Sequence, residues 1–155
     1  MKTLVQFFIL IFITIVSGQS DITSEEITLK NDSIILPGTL TYNKSLESQP
    51  LVIFVHGSGN IDRNGNQSGG IYANYIKQLA DSLNQKNIAF YRYDKRTATI
   101  VNYKIKSMRA TSFDSFIEDV TIAINNFKDD NRFSSITLIG HSQGSTVAML
   151  ATQNG

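Results

Sequence analysis

The stretch Gly140-His141-Ser142-Gln143-Gly144 sets a serine hydroxyl between two glycines. The apolar run Ser135-Ile136-Thr137-Leu138-Ile139 leads into it, and the small, helix-favouring run Ser145 to Ala151 follows. A buried strand, a tight turn and a helix with a serine at the apex form a nucleophile elbow, the chemistry of acyl transfer. The glycines have a physical task there. Cβ atoms at 140 and 144 would collide with the neighbouring strand and helix. The serine is thereby held in a strained backbone geometry with Oγ exposed. His141 and Gln143 fill the variable positions.

A second group of residues complements the first. The apolar run Leu51 to Val55 passes straight into His56-Gly57-Ser58-Gly59. A His-Gly-small-Gly turn after an early strand supplies backbone N–H groups to a developing oxyanion. The N–H near Ser58 is expected to converge with that of Gln143, the residue after the nucleophile. Gly57 and Gly59 let the backbone itself approach a substrate. Loss of one oxyanion donor typically lowers the rate by about 10²–10³.

These turns need elements to carry them. Glu26 to Lys30 and Ile34 to Tyr42 read as an antiparallel hairpin, with Asn31-Asp32 at the turn and its second strand an edge or bulged at Pro37. Leu51 to Val55 reads as a strand covered on both faces. Residues 56–70 are a Gly- and Asn-rich loop, and Ile71 to Lys86 has helical periodicity. Ile88 to Tyr93 is the next strand. Residues 94–110 form a basic loop carrying Lys95, Arg96, Lys104, Lys106 and Arg109. Thr111-x-x-Asp114 is a helix start, followed by an apolar face from Phe113 to Phe127. The order β, β, β, α, β, α, β, α predicts an α/β fold with a mostly parallel sheet and helices on both faces.

The chain resembles the α/β-hydrolase superfamily at Leu51 to Asn66, reading LVIFVHGSGNIDRNGN, at Leu36-Pro37-Gly38-Thr39-Leu40, and at the elbow. Within that superfamily it is similar to the secreted esterase and serine aminopeptidase-like branch. The resemblance covers about residues 25–155 and implies a serine hydrolase, with Ser142 as nucleophile and an oxyanion hole at Gly57, Ser58 and Gln143. His56, Gly59, Gly140, His141 and Gly144 belong to the frame of the two turns. A carboxylic ester is the first expectation for the substrate, and a short acyl or peptide substrate the second.

Two departures stand out. The family usually continues Asp-x-Arg with glycine, whereas Asp94-Lys95-Arg96 is followed by Thr97. Asp94 and Arg96, like Asp62 and Arg63, read as structural ties near the site. A serine hydroxyl also needs a general base. No Asp or Glu follows Ser142, and the two histidines, His56 and His141, belong to the turns themselves. The resemblance places the acid and then the histidine after later strands. The expectation is that residues 21–155 are the N-terminal part of a hydrolase domain, truncated after the elbow helix, with both groups beyond Gly155. A truncated hydrolase fold that binds without chemistry is the competing reading.

Composition narrows the classes. The chain has 155 residues, a formal net charge of +1 and no run of Lys and Arg with interleaved aromatics, so no nucleic-acid partner is expected. Residues 1–20 read as a secretory signal peptide. Lys2 precedes an apolar core from Leu4 to Val16, with cleavage near Gly18 to Ser20. The mature chain, without Lys2, has 13 Lys+Arg against 13 Asp+Glu. It is expected to be secreted or periplasmic and not stably inserted in a membrane. The absence of cysteine excludes disulfides and a lipid-modified N-terminal cysteine. No metal or cofactor is expected. Ligand-spaced His/Cys/Asp clusters, a Gly-Lys-Ser/Thr phosphate loop and a Gly-x-Gly-x-x-Gly fingerprint are all missing. Tyr72, Tyr75, Tyr91 and Tyr93 are expected in the core, with Tyr103 a possible pocket residue.

Overall fold

The computed structural model describes residues 21–70 and 72–153. The proposed signal segment and Ile71 lie outside the described residues. Five strands, β1 (Ile22–Asn31), β2 (Ile34–Asn43), β3 (Gln49–Val55), β4 (Ala89–Tyr93) and β5 (Phe133–Gly140), form one sheet in the order β1-β2-β4-β3-β5. The β1–β2 and β2–β4 pairs are antiparallel, and β4–β3 and β3–β5 are parallel. Three helices, α1 (Tyr75–Asn84), α2 (Phe113–Phe127) and α3 (Gln143–Ala151), cover the faces.

Alternation along β3 divides the core. Leu51, Ile53 and Val55 pack with α2 and α3, through Val120, Phe127 and Val147. Val52 and Phe54 point to the other face and meet Ile76 and Ala80 of α1. Each residue from Leu51 to Val55 is buried, as a strand flanked on both edges and both faces must be.

The second strand differs from its sequence reading. β2 is an inner strand, paired to β1 through a regular register and to β4 through Gly38 to Thr41. Pro37 stands one position past the β2–β4 ladder. Its carbonyl accepts the Asp94 N–H at 2.7 Å, and no N–H is required of it there. Gly38 lies under the Tyr91 ring, where an added Cβ would stand 2.6 Å from the ring carbon Cζ.

Residues 94–110 are more ordered than a basic loop. They contain two short 3-10 helices, Ile100–Lys104 and Lys106–Ala110. Buried Asn102 anchors them, accepting the Ile35 N–H at 3.0 Å and donating to the Ile35 carbonyl at 2.8 Å. An amide side chain thus replaces a strand partner beside β2. Helix α1 starts at Tyr75, so Tyr72 precedes it and is exposed, and Tyr75 is itself partly exposed. Tyr91 and Tyr93 are buried in the core. The cap of α2 is Ser112 with Ser115, one residue later than the predicted Thr111 and Asp114.

Candidate active site

Parallel pairing of β3 and β5 sets the two glycine turns side by side. Val55 is in register with Gly140, and the His141 N–H donates to the Val55 carbonyl at 3.0 Å. Both strands then end together, at Val55 and Gly140.

Ser142 adopts φ 52° and ψ −123°, the backbone region a type II′ turn normally gives to glycine. Such a conformation costs about 1–3 kcal/mol and persists where packing imposes it. The packing here is visible. A Cβ on Gly140 would stand 2.5 Å from the Gly144 carbonyl oxygen and from Ser145 Cα. A Cβ on Gly144 would overlap the carbonyls of Val55 and His56. The chain therefore turns from β5 into α3 at a radius that only glycine permits. Ser142 occupies the cap position of α3, yet its hydroxyl makes no capping bond. It is exposed.

The first turn closes over the second. A Cβ on Gly57 would lie 3.0 Å from His141 Nδ1 and 3.3 Å from Ser142 Cβ. Ser58 and Gly59 are exposed, and Gly59 has φ 101°. Among the described residues, neither the Ser58 N–H nor the Gln143 N–H donates to another group. Ser58, Gln143 and Ser142 are thus brought together with Gly57, Gly59, Gly140 and Gly144 as frame.

The histidines separate. His56 is buried, edge-on to Tyr93 with ring centroids 4.9 Å apart and to Phe54 at 5.7 Å. Neither ring nitrogen has a hydrogen-bond partner among the described residues. Burial, and then the charge of Lys95, bring its pKa down to about 4, with Asp62 and Asp94 only partly offsetting this. His141 is exposed and lies 6.1 Å from the Tyr75 ring. Neither histidine hydrogen-bonds to Ser142 among the described residues.

The charges beneath the site are paired in most places. Arg63 forks onto Asp94, with Nε to Oδ1 at 3.1 Å and Nη2 to Oδ2 at 3.0 Å, and reaches Glu26 and Thr39. Asp62 accepts the N–H groups of Asn64 and Asn66 at 2.8 and 2.9 Å, folding its own loop. Buried Arg96 donates to both oxygens of Asp119 at 2.7 and 2.6 Å. Thr97, where the family has glycine, donates to the Gly59 carbonyl at 3.2 Å. Its loop therefore touches the first turn directly.

Lys95 reaches both turns without a carboxylate partner among the described residues, and sequence reading assigns it only to a basic stretch. It is 6% exposed, and its ammonium donates to the Gly57 carbonyl at 2.7 Å and to Gln143 Oε1 at 3.3 Å. It also sits 4.3 Å from the centroid of the Phe116 ring. Burial pulls its pKa below the usual lysine range. A lysine between Asp94 and Arg96 carries no sequence signal for this position. An open cleft of about 470 Å³ nearby is lined in part by Asn60, Asp62, Tyr72, Thr97 and Tyr103. Among the described residues, no group of three or more His, Cys, Asp and Glu could hold a metal ion, and no helix is long and apolar enough to cross a membrane.

The profile of the family described as "Serine aminopeptidase, S33" matches residues 47–155, from the start of β3 through α3. The chain belongs to this family of α/β-hydrolases. Esterase EstD of Thermotoga maritima is similar to this serine aminopeptidase family member, 34% identical over 110 residues. That match covers 70% of the chain and 25% of EstD. Among solved structures, the fold resembles Est1E from Butyrivibrio proteoclasticus, with a TM-score of 0.59 at 22% identity over 82% of this chain and 44% of that one. It also resembles a dienelactone hydrolase from Anabaena variabilis, with a TM-score of 0.64 at 19% identity over 86% of this chain and 58% of that one. These likenesses establish the α/β-hydrolase fold. This family member spans a quarter of EstD and about half the length of the two structures.

Proposed function

We propose that the protein is an exported serine hydrolase that cleaves carboxylic esters, with Ser142 as its nucleophile. The observation that carries this reading is the backbone of Ser142 at φ 52°. A fold bears that cost where an exposed hydroxyl at a strand–helix turn serves chemistry. In the proposed reaction, Ser142 Oγ attacks the acyl carbonyl carbon. The carbonyl oxygen becomes the oxyanion and accepts the N–H groups of Ser58 and Gln143. The first turn of α3 adds its partial positive charge at the same place. The alcohol leaves with a proton, and water then hydrolyses the acyl-enzyme.

Proton transfer to and from Oγ requires a histidine oriented by an acid. His56 is too buried for this task, and His141 makes no bond to the hydroxyl. In this reading both groups come from the portion of the hydrolase domain that the relatives have and this chain does not span. Carboxylic ester is preferred over peptide because EstD is an esterase. Among the described residues neither histidine hydrogen-bonds to Ser142, and the second reading is a hydrolase fold that binds acyl compounds without turnover.

The test is hydrolysis of p-nitrophenyl acetate and of an aminoacyl p-nitroanilide by protein made from the complete reading frame. Ester turnover that falls at least about 10³-fold in Ser142→Ala supports the reading. Faster anilide cleavage would make it a peptidase. Absence of turnover on both would support the binding module.

A further inference from the structure

We infer that Lys95 is a positioning residue for the oxyanion site, holding the Gly57–Ser58 peptide with its carbonyl turned inward and its N–H turned outward. The inference rests on the hydrolase reading above. It starts from the geometry of one peptide. The Lys95 ammonium donates to the Gly57 carbonyl at 2.7 Å from the buried side. That carbonyl and the Ser58 N–H belong to the same planar unit, and the peptide is trans. In a trans peptide the two groups point in opposite directions. Fixing the carbonyl toward Lys95 therefore fixes the N–H away from it, onto the open side where Ser142 is exposed and Gly57 packs against its side chain.

The second contact extends the same role. Lys95 also donates to Gln143 Oε1 at 3.3 Å, and Gln143 carries the other proposed donor. One cation thus links the turn after β3 to the turn after β5. A glycine-rich turn has many accessible conformations, and an external tie selects one. A charged donor makes a stronger hydrogen bond than a neutral one. It also polarises the peptide, so that the N–H beyond it donates more strongly.

Ordinary structural uses of a lysine do not fit this position. No carboxylate oxygen lies within 4.0 Å of the ammonium among the described residues. Asp119 and Lys95 line one small cavity, but both Asp119 oxygens accept from Arg96. A buried cation without a counter-ion is unfavourable unless its protons are well placed. Two of them go to the proposed oxyanion turns, and the group rests against the Phe116 ring.

The role predicts an effect on the transition state more than on substrate binding. In protein from the complete reading frame, with p-nitrophenyl acetate as probe, Lys95→Met should lower kcat about 10²-fold, in the range of a lost oxyanion donor. KM should stay within about twofold, because the oxyanion exists only after attack. A second pair of proteins separates charge from packing. The chain contains no cysteine, so Lys95→Cys introduces one thiol into it. Alkylation in denaturant with bromoethylamine and refolding restores an ammonium at the length of lysine, whereas 1-iodopropane gives an apolar chain of the same length without a donor. The aminoethylated protein should recover at least about tenfold in kcat over the propyl form, the recovery expected of a restored donor. Wild type carried through the same steps is the control.

Folded Lys95→Met with wild-type kcat would overturn the role. So would equal kcat in the two alkylated forms, and that pair decides the matter if Lys95→Met does not fold. Ser142→Ala distinguishes the two levels of the argument. If it is as active as wild type, the hydrolase reading fails and the Lys95 role fails with it. If it is inactive while Lys95→Met is not, the Lys95 role alone fails.

Discussion

Gly144 of α3 packs directly against the carbonyl of Val55 at the end of β3, with no room for a Cβ between them. The same is true of the His56 carbonyl beside it. These are backbone atoms at the buried end of β3 and the turn after it, and they cannot swing aside. Gly144→Ala is therefore expected to lose about 1–3 kcal/mol of stability, the range of a core overpacking change. Urea denaturation at neutral pH measures it. A loss below about 0.5 kcal/mol, as at an unconstrained surface site, would mean that α3 does not press on β3 as described.

His56 should make the protein acid-sensitive. Its folded pKa is held at about 4 by burial and by Lys95, below the ordinary value of about 6.5. In that interval the unfolded chain binds the proton that the folded chain refuses. Stability is therefore fully present above about pH 6.5 and is lost as the pH falls toward 4. At about 1.4 kcal/mol per pH unit the loss amounts to about 3 kcal/mol. Urea unfolding at pH 7 and at pH 4 should show it in wild type, and His56→Leu should remove that part of the difference. An equal pH dependence in the two proteins would contradict the account.

Arg96 and Asp119 form the buried ion pair, with side chains 5% and 2% exposed. Removing one partner strands the other. Arg96→Met leaves the Asp119 carboxylate without its cation, still accepting from the Asn31 amide at 3.0 Å, and a cost of about 3–5 kcal/mol is expected. The double variant Arg96→Met with Asp119→Leu should recover part of that loss, because no buried charge remains unpaired. A double-mutant cycle in urea reads both. A single variant within about 1 kcal/mol of wild type would assign the pair no more weight than a surface bridge.

What was legible in the sequence divides along physical lines. The elbow and its two glycines could be read because a sharp turn tolerates few residue types. β3 could be read because a strand buried on both faces admits only apolar side chains. Pairing was less legible. Pro37 suggested an edge, but β2 is internal, since the proline falls one position past the ladder where no donor is needed. Tyr72 and Tyr75 matched a helical apolar face, yet α1 begins at Tyr75 and leaves both partly or wholly in solvent. Lys95 was invisible for the opposite reason. A charge in a basic stretch reads as solvated, and only the three-dimensional path of residues 94–110 under the two turns buries it. The tie between Asn102 and Ile35 is hidden likewise, being made by one amide across 67 residues.

The central claim is that Ser142 is the nucleophile, and a fluorophosphonate probe tests it most directly. Protein from the complete reading frame would be incubated with the probe, digested and mapped by mass spectrometry. The account predicts one adduct, on Ser142, which is lost in Ser142→Ala and in protein unfolded before exposure. An adduct on any other residue, labelling that survives Ser142→Ala, or no labelling of the folded protein would contradict it.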